Sequence, residues 1–89
     1  DTFNEYADKM KARLVSNWDL PVWLAKQNLS ARVVLNLDRM GNVISTVFEK
    51  ESGNRQFDGY VLKAVRQAQP FGPPPDEILD SGVTIGFPL

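Results

Sequence analysis

The chain has 89 residues, which fits one small domain that buries about 60–65% of its unfolded surface. It contains no cysteine and no histidine, which excludes disulfides and thiolate metal sites and leaves only carboxylate pairs or Ser/Lys chemistry for catalysis. The sequence has ten Lys and Arg residues and eleven Asp and Glu residues, with no runs of like charge. This balance argues against a surface that binds nucleic acid or an anionic membrane.

The first predicted element is an amphipathic helix that begins at a capping box formed by Thr2 and Glu5 and is limited by Pro21. One apolar face continues at helical spacing through Phe3, Tyr6, Ala7, Met10, Leu14 and Trp18. We expect this stripe to pack in the core. Trp18 and Trp23 either close one end of the core or form an exposed contact patch, and burial is expected because exposed aromatic clusters are uncommon on monomers.

A change to period two at Ala31 predicts a strand, and a second strand is predicted over residues 43–51. The buried face of the first strand carries Ala31, Val33, Leu35 and Leu37. Gly41 and Asn42, which both tolerate positive φ, supply the turn of a hairpin. The second strand gives mixed signals, because Val43 and Val47 oppose Ile44 and Phe48, and its inward face stays open.

A second helix is predicted from a cap at Asn54 to a stop at Pro70, with Asp58 near the positive end of its dipole. Its apolar stripe consists of Phe57, Val61, Ala64, Val65 and Ala68. Phe71 is predicted to be an apolar anchor, and the three prolines at 73–75 are read as a rigid connector rather than a ligand for an aromatic groove. Residues 76–79 favour one helical turn, and a last strand alternates through Val83, Ile85 and Phe87.

The predicted fold is therefore a single α+β domain over residues 1–89, with the element order α-β-β-α-β. A right-handed crossover through the second helix places the last strand beside the first, which gives an antiparallel sheet of order 2-1-3 with helices on one face. The last strand is then an uncovered edge. Such an edge is either a liability or a site for binding another strand.

Several short motifs occur in a fixed order along nearly the whole chain. They are Tyr6 through Trp18, Leu35-Asn36-Leu37-Asp38, Gly41-Asn42-Val43, Ser52-Gly53, Phe57-Asp58, Ala64-Val65, the exit from Pro70-Phe71 to Pro75, and the apolar terminal strand. In this order they resemble the C-terminal domain of the TonB/TolA family, envelope proteins of Gram-negative bacteria. The Tyr-Pro motif typical of TonB proteins is absent, and so is the cysteine pair of some TolA domains, which leaves the branch open with a lean to TolA.

The resemblance implies a periplasmic protein-binding domain that couples inner-membrane energy to outer-membrane partners. A spacer and a membrane helix, both outside this chain, would tie it to a proton-driven complex in the inner membrane. The implied partners are the TonB box of an outer-membrane transporter or Tol–Pal proteins, with colicin and phage proteins exploiting the TolA-like branch. By strand addition, a partner would lie along Val83, Thr84, Ile85, Gly86 and Phe87.

Other functions remain open at the level of sequence. The same edge could pair two copies in a homodimer. A small RNA-binding module would need exposed aromatic side chains on its strands, for which Phe48 is the lone candidate. Asp76, Glu77 and Asp80 are better explained as a solvated loop than as a cation site, and no enzyme activity, cofactor or metal is expected.

Overall fold

The computed structural model describes residues 2–89, without the side chain of Thr2. The elements in chain order are α1 (Thr2–Ser16), α2 (Val22–Ala25), β1 (Ala31–Leu37), β2 (Val43–Lys50), α3 (Arg55–Ala68), α4 (Asp76–Ser81) and β3 (Val83–Phe87). The strands form an antiparallel sheet of order β2-β1-β3, which confirms the predicted α+β fold and strand order. The short helix α2 was not predicted, and the predicted capping box depends on the side chain of Thr2, which lies outside the described residues.

One core lies between the helices and one face of the sheet. The inward residues of β1 and β3 alternate with outward ones, as period-two strands require. They pack against the stripes of α1 and α3 in a cluster that includes Met10, Leu14, Val33, Leu35, Val61 and Ile85, each fully buried. A side-chain hydrogen bond from Arg13 Nε to the carbonyl oxygen of Ala68, 3.0 Å long, also joins the two helices.

The end of α1 differs from the prediction. The helix ends at Ser16, well before Pro21, and the Asn17 side-chain amide donates to the carbonyl oxygen of Arg13 at 2.9 Å. Asn side chains that bond to nearby backbone compete with helix continuation, which accounts for the early end. Trp18 therefore lies in the connector, where it is half-buried. Trp23 lies on α2 and is 54% exposed, so the expectation that it is buried was wrong.

Helix α3 forms as predicted. The Asn54 side chain accepts hydrogen bonds from the backbone N–H groups of Gln56 and Phe57, at 2.9 and 3.0 Å, which caps the helix. Every residue of the predicted apolar stripe is buried. At the other end Gln69 has left the helical region, with φ −78° and ψ 156°, because the ring of the following proline excludes it.

The mixed pattern of β2 is explained by two β-bulges. The register passes from Leu37↔Val43 to Asn36↔Ser45, so Ile44 is an extra residue. A second shift leaves Glu49 without a residue opposite it in β1. Each extra residue inverts the alternation of the strand. Val43 and Phe48 consequently both pack against the core, although an odd number of positions, five, would put them on opposite faces of a regular strand, whereas Ile44 is 68% exposed.

The hairpin turn packs closely against the loop that follows α3. Gly41 has φ +88°, and a Cβ atom built on it would lie 2.2 Å from the carbonyl oxygen of Gly72. The N–H of Phe71 donates to the carbonyl oxygen of Gly41 at 3.0 Å, and the Tyr6 hydroxyl donates to the carbonyl oxygen of Gly72 at 2.6 Å. These contacts join α1, the hairpin and the exit loop, and Phe71 is the buried anchor that was predicted.

Candidate functional site

The direction of the backbone hydrogen bonds along β1 decides what each edge of the sheet presents. The N–H of Asp38 donates to the carbonyl oxygen of Asn42 at 2.9 Å, so Asp38 bonds toward β2. In an antiparallel sheet the backbone groups of successive residues point to alternate sides of the strand. Leu35 and Val33, at odd spacing from Asp38, therefore direct their backbone groups toward β3.

This alternation separates the residues of β3 into two sets. Val83 and Ile85 pair with Leu35 and Val33, so their backbone groups bond to β1. The N–H and C=O groups of Thr84 and Gly86 point in the opposite direction, to the outer edge of the sheet. Within residues 2–89, no hydrogen bond from outside the sheet reaches these groups.

The five residues predicted to bind a partner thus lie together in β3 with different environments. Val83, Ile85 and Phe87 place their side chains in the core, where each is at most 3% exposed. The side chain of Thr84 and the Cα of Gly86 are exposed on the outer face of the sheet. Sequence alternation indicates the buried face, but it does not identify which backbone groups are free.

The opposite edge, on β2, is interrupted. The N–H of Val43 points away from β1 and donates to Gln69 Oε1 at 2.7 Å, so a side chain from the end of α3 already occupies it. The bulges at Ile44 and Glu49 break the row of outward groups at both ends of the strand. Bulges and capped groups are features that prevent strand pairing at an edge. Of the two edges, β3 is the one suited to strand addition.

A groove lies beside the end of β3, between the sheet and α1. It has a volume of about 470 Å³ and is lined by Lys11, Val15, Gly86, Pro88 and Leu89. Beyond Pro88 and Leu89 lies a second cavity of about 290 Å³, which is bounded by the connector after α1.

Trp18 stabilises this end of the sheet and lines the second cavity. Its ring centroid lies 5.8 Å from that of Phe57 in an edge-on arrangement, and 5.1 Å from that of Phe87. Aromatic pairs at these separations are attractive beyond the area they bury. The contact fixes Phe87, the last residue of β3, between the helix layer and the sheet.

The other candidate sites from the sequence do not assemble in the described part of the chain. Phe48 packs against the core and is not presented on the open face of the sheet. Among residues 2–89, no three acidic side chains lie close enough together to hold a metal ion, and this applies also to Asp76, Glu77 and Asp80 on α4. A shallow depression of about 360 Å³ on α3 is lined by residues of that helix alone. No helix over this range has the length and apolarity to cross a membrane.

The elements thus form a small α+β domain with one uncovered strand edge. The sequence profile of the TonB C-terminal family matches residues 3–89. The chain therefore belongs to this family, whose domains are periplasmic and act in protein interaction without enzymatic activity. The resemblance to the TonB/TolA family is confirmed.

Comparison with solved structures supports the same fold. The chain is similar to a solution NMR structure of TolAIII bound to a peptide derived from the N-terminus of TolB, with a TM-score of 0.68 and 21% sequence identity. The similarity covers 90% of this chain and 68% of that one. No curated protein sequence matches the chain.

Proposed function

We propose that this domain binds an extended segment of a partner protein as a fourth strand on the outer edge of β3. The observation that supports the proposal most directly is the contrast between the two edges. Thr84 and Gly86 offer free backbone groups on an unbroken strand, whereas the edge of β2 is bulged and partly capped by Gln69.

The family and the structural neighbour support two candidate classes of partner. TolAIII has been solved with a peptide from TolB, so a segment of a Tol–Pal protein is the first candidate for this chain. A TonB box of an outer-membrane transporter is the second, as the family membership suggests. In either case the domain would couple inner-membrane energy to an outer-membrane partner, through a spacer and a membrane anchor outside this chain.

The backbone contribution is small, which suits reversible binding. Two outward residues provide at most four hydrogen bonds, each with a net value of about 0.5–1.5 kcal/mol. Fixing the three partner residues beside Thr84, Ile85 and Gly86 costs about 1–2 kcal/mol of conformational entropy each, which is about 3–6 kcal/mol in all. Backbone pairing alone therefore comes near to balance, and the affinity must come from side chains beside the edge. Such a complex forms and dissociates readily.

The test is an amide NMR titration of the ¹⁵N-labelled domain with peptides from the N-terminus of TolB and from TonB boxes. We expect the largest shifts at Thr84 and Gly86, and the peptide that causes them identifies the branch. A dilution series without peptide comes first, since concentration-dependent shifts on β3 would instead assign this edge to a homodimer. Shifts confined to α3 or to β2 would contradict the proposal.

A proline variant tests the edge itself. Thr84→Pro removes an outward N–H from an exposed residue of an edge strand, where proline is tolerated. Thr84→Val is the matched control, because it keeps the N–H and the β-branched shape. With the fold intact, we expect Thr84→Pro to weaken peptide binding about two- to twelvefold, as the loss of one backbone hydrogen bond implies, and Thr84→Val to bind normally. Ile85 is unsuitable for this test, since it is fully buried and its N–H bonds to β1.

A further inference from the structure

The groove beside β3 combines apolar walls with one cation. Val15 is 55% exposed and Leu89 is 38% exposed, so apolar surface of both faces the solvent there. Lys11 lies at the same groove and makes no ion pair within the described chain; its nearest acidic neighbour along the exposed row of α1 is Asp8, one helical turn away. This combination distinguishes the groove from a uniformly apolar surface.

The geometry of strand addition determines which partner side chains enter the groove. Residues that lie side by side in neighbouring strands point to the same face of a sheet. The buried side chains of Ile85 and Phe87 point to the helix layer. Partner residues beside these two positions would therefore point toward α1, whereas partner residues beside Thr84 and Gly86 would point to the open face of the sheet.

We propose that this groove selects the partner sequence: an extended protein segment with apolar side chains at alternate positions toward α1 and one carboxylate that reaches Lys11. The proposal rests on strand addition at β3, and it adds the side-chain chemistry that backbone pairing lacks. The apolar side chains would cover Val15 and Leu89. The carboxylate would complement the ammonium group that has no partner in the described chain.

The probe is a set of synthetic peptides that alternate valine and threonine and carry one glutamate, moved through successive positions. Matched peptides carry glutamine in its place, and a further set replaces the valines with serine. Each affinity is measured by NMR titration. We expect the best glutamate peptide to bind about two- to fivefold more tightly than its glutamine match, as an exposed ion pair provides. The serine set should bind more weakly than either.

Two pairs of variants assign the preference to the groove. Lys11→Met keeps the apolar stem and removes the charge, so the glutamate preference should vanish; Lys63→Met, on the exposed face of α3, should leave it unchanged. Val15→Ser should weaken the binding of the valine peptides about fivefold, because their side chains lose the apolar contact with the half-exposed Val15. Leu62→Ser, on α3 and 39% exposed, is its control.

The outcomes separate this proposal from strand addition. If Thr84→Pro weakens every peptide while Lys11→Met and Val15→Ser change nothing, strand addition stands and the groove proposal is wrong. A glutamate preference that survives Lys11→Met would show that the carboxylate does not pair with Lys11, which overturns that part of the proposal. If no peptide shifts the amides of Thr84 and Gly86, both proposals fail.

Discussion

Replacing Gly41 by alanine tests the close packing between the hairpin and the loop after α3. Gly41 has φ +88°, and the added Cβ would lie 2.2 Å from the carbonyl oxygen and 2.5 Å from the amide nitrogen of Gly72. Backbone atoms cannot move aside as a flexible side chain can. The loop must shift, which disturbs the hydrogen bonds that Phe71 donates to Gly41 and Tyr6 donates to Gly72.

The magnitude follows from two contributions. A left-handed backbone costs a non-glycine residue about 1–2 kcal/mol. Weakening two hydrogen bonds adds about 1 kcal/mol each. Gly41→Ala should therefore lower the free energy of unfolding by about 3–4 kcal/mol, a large part of what a domain of this size possesses.

Gly53→Ala is the matched control, because Gly53 has nearly the same φ, +85°, and nothing within 4 Å of an added Cβ. It should cost only the conformational part, about 1–2 kcal/mol. Urea unfolding at 25 °C, followed by tryptophan fluorescence, measures both free energies. If the two variants are destabilised equally, the approach of Gly41 to Gly72 makes no energetic contribution and the reasoning is refuted.

Two further predictions concern charge and aromatic packing. Hydrogen bonds to the Asp38 carboxylate, first among them that from the backbone N–H of Asn42, hold its pKa below the ordinary value of 3.8. The pKa of Asp38 is thus lower in the folded state than in the unfolded state, so these hydrogen bonds stabilise the fold above about pH 3.8, and this stabilisation is lost as the pH falls through the folded-state pKa. Asp38→Asn should therefore flatten the decline in the free energy of unfolding in acid. An unchanged pH profile of stability would contradict this prediction. Trp18→Ala should lower the free energy of unfolding by about 2–4 kcal/mol, because its ring packs on Phe57 and Phe87. Trp23→Ala should change it by less than about 0.5 kcal/mol, because Trp23 is 54% exposed. Thermal denaturation of both variants tests this difference, and similar losses of stability would be inconsistent with the packing of Trp18.

The elements that the sequence predicted well are governed by contacts within a few residues. Asn54 caps the amide groups that follow it directly, and Pro70 ends α3 by acting on its neighbour Gln69. The apolar stripe of α3 and the alternation in β1 repeat at the periods of a helix and a strand. Such signals are local, so they can be read without knowledge of the partners in the fold.

The prediction was wrong or incomplete where the deciding partner is distant in the sequence. Trp23 was expected to be buried but is 54% exposed, whereas Trp18 packs on Phe57 and Phe87, which are distant from it in the sequence. The inward face of β2 stayed open because nothing in its residues marks Ile44 as a bulge. A bulge is defined by the register with β1, which is a property of the pair of strands.

The sequence by itself determined the class of fold, the strand order and the strand at which a partner is proposed to bind. Only the tertiary structure decided which part of that strand is available. The alternation of side chains identified Val83, Ile85 and Phe87 as buried, yet the free backbone groups belong to Thr84 and Gly86. The direction of a backbone hydrogen bond depends on how β3 pairs with β1, and side-chain chemistry does not encode it locally.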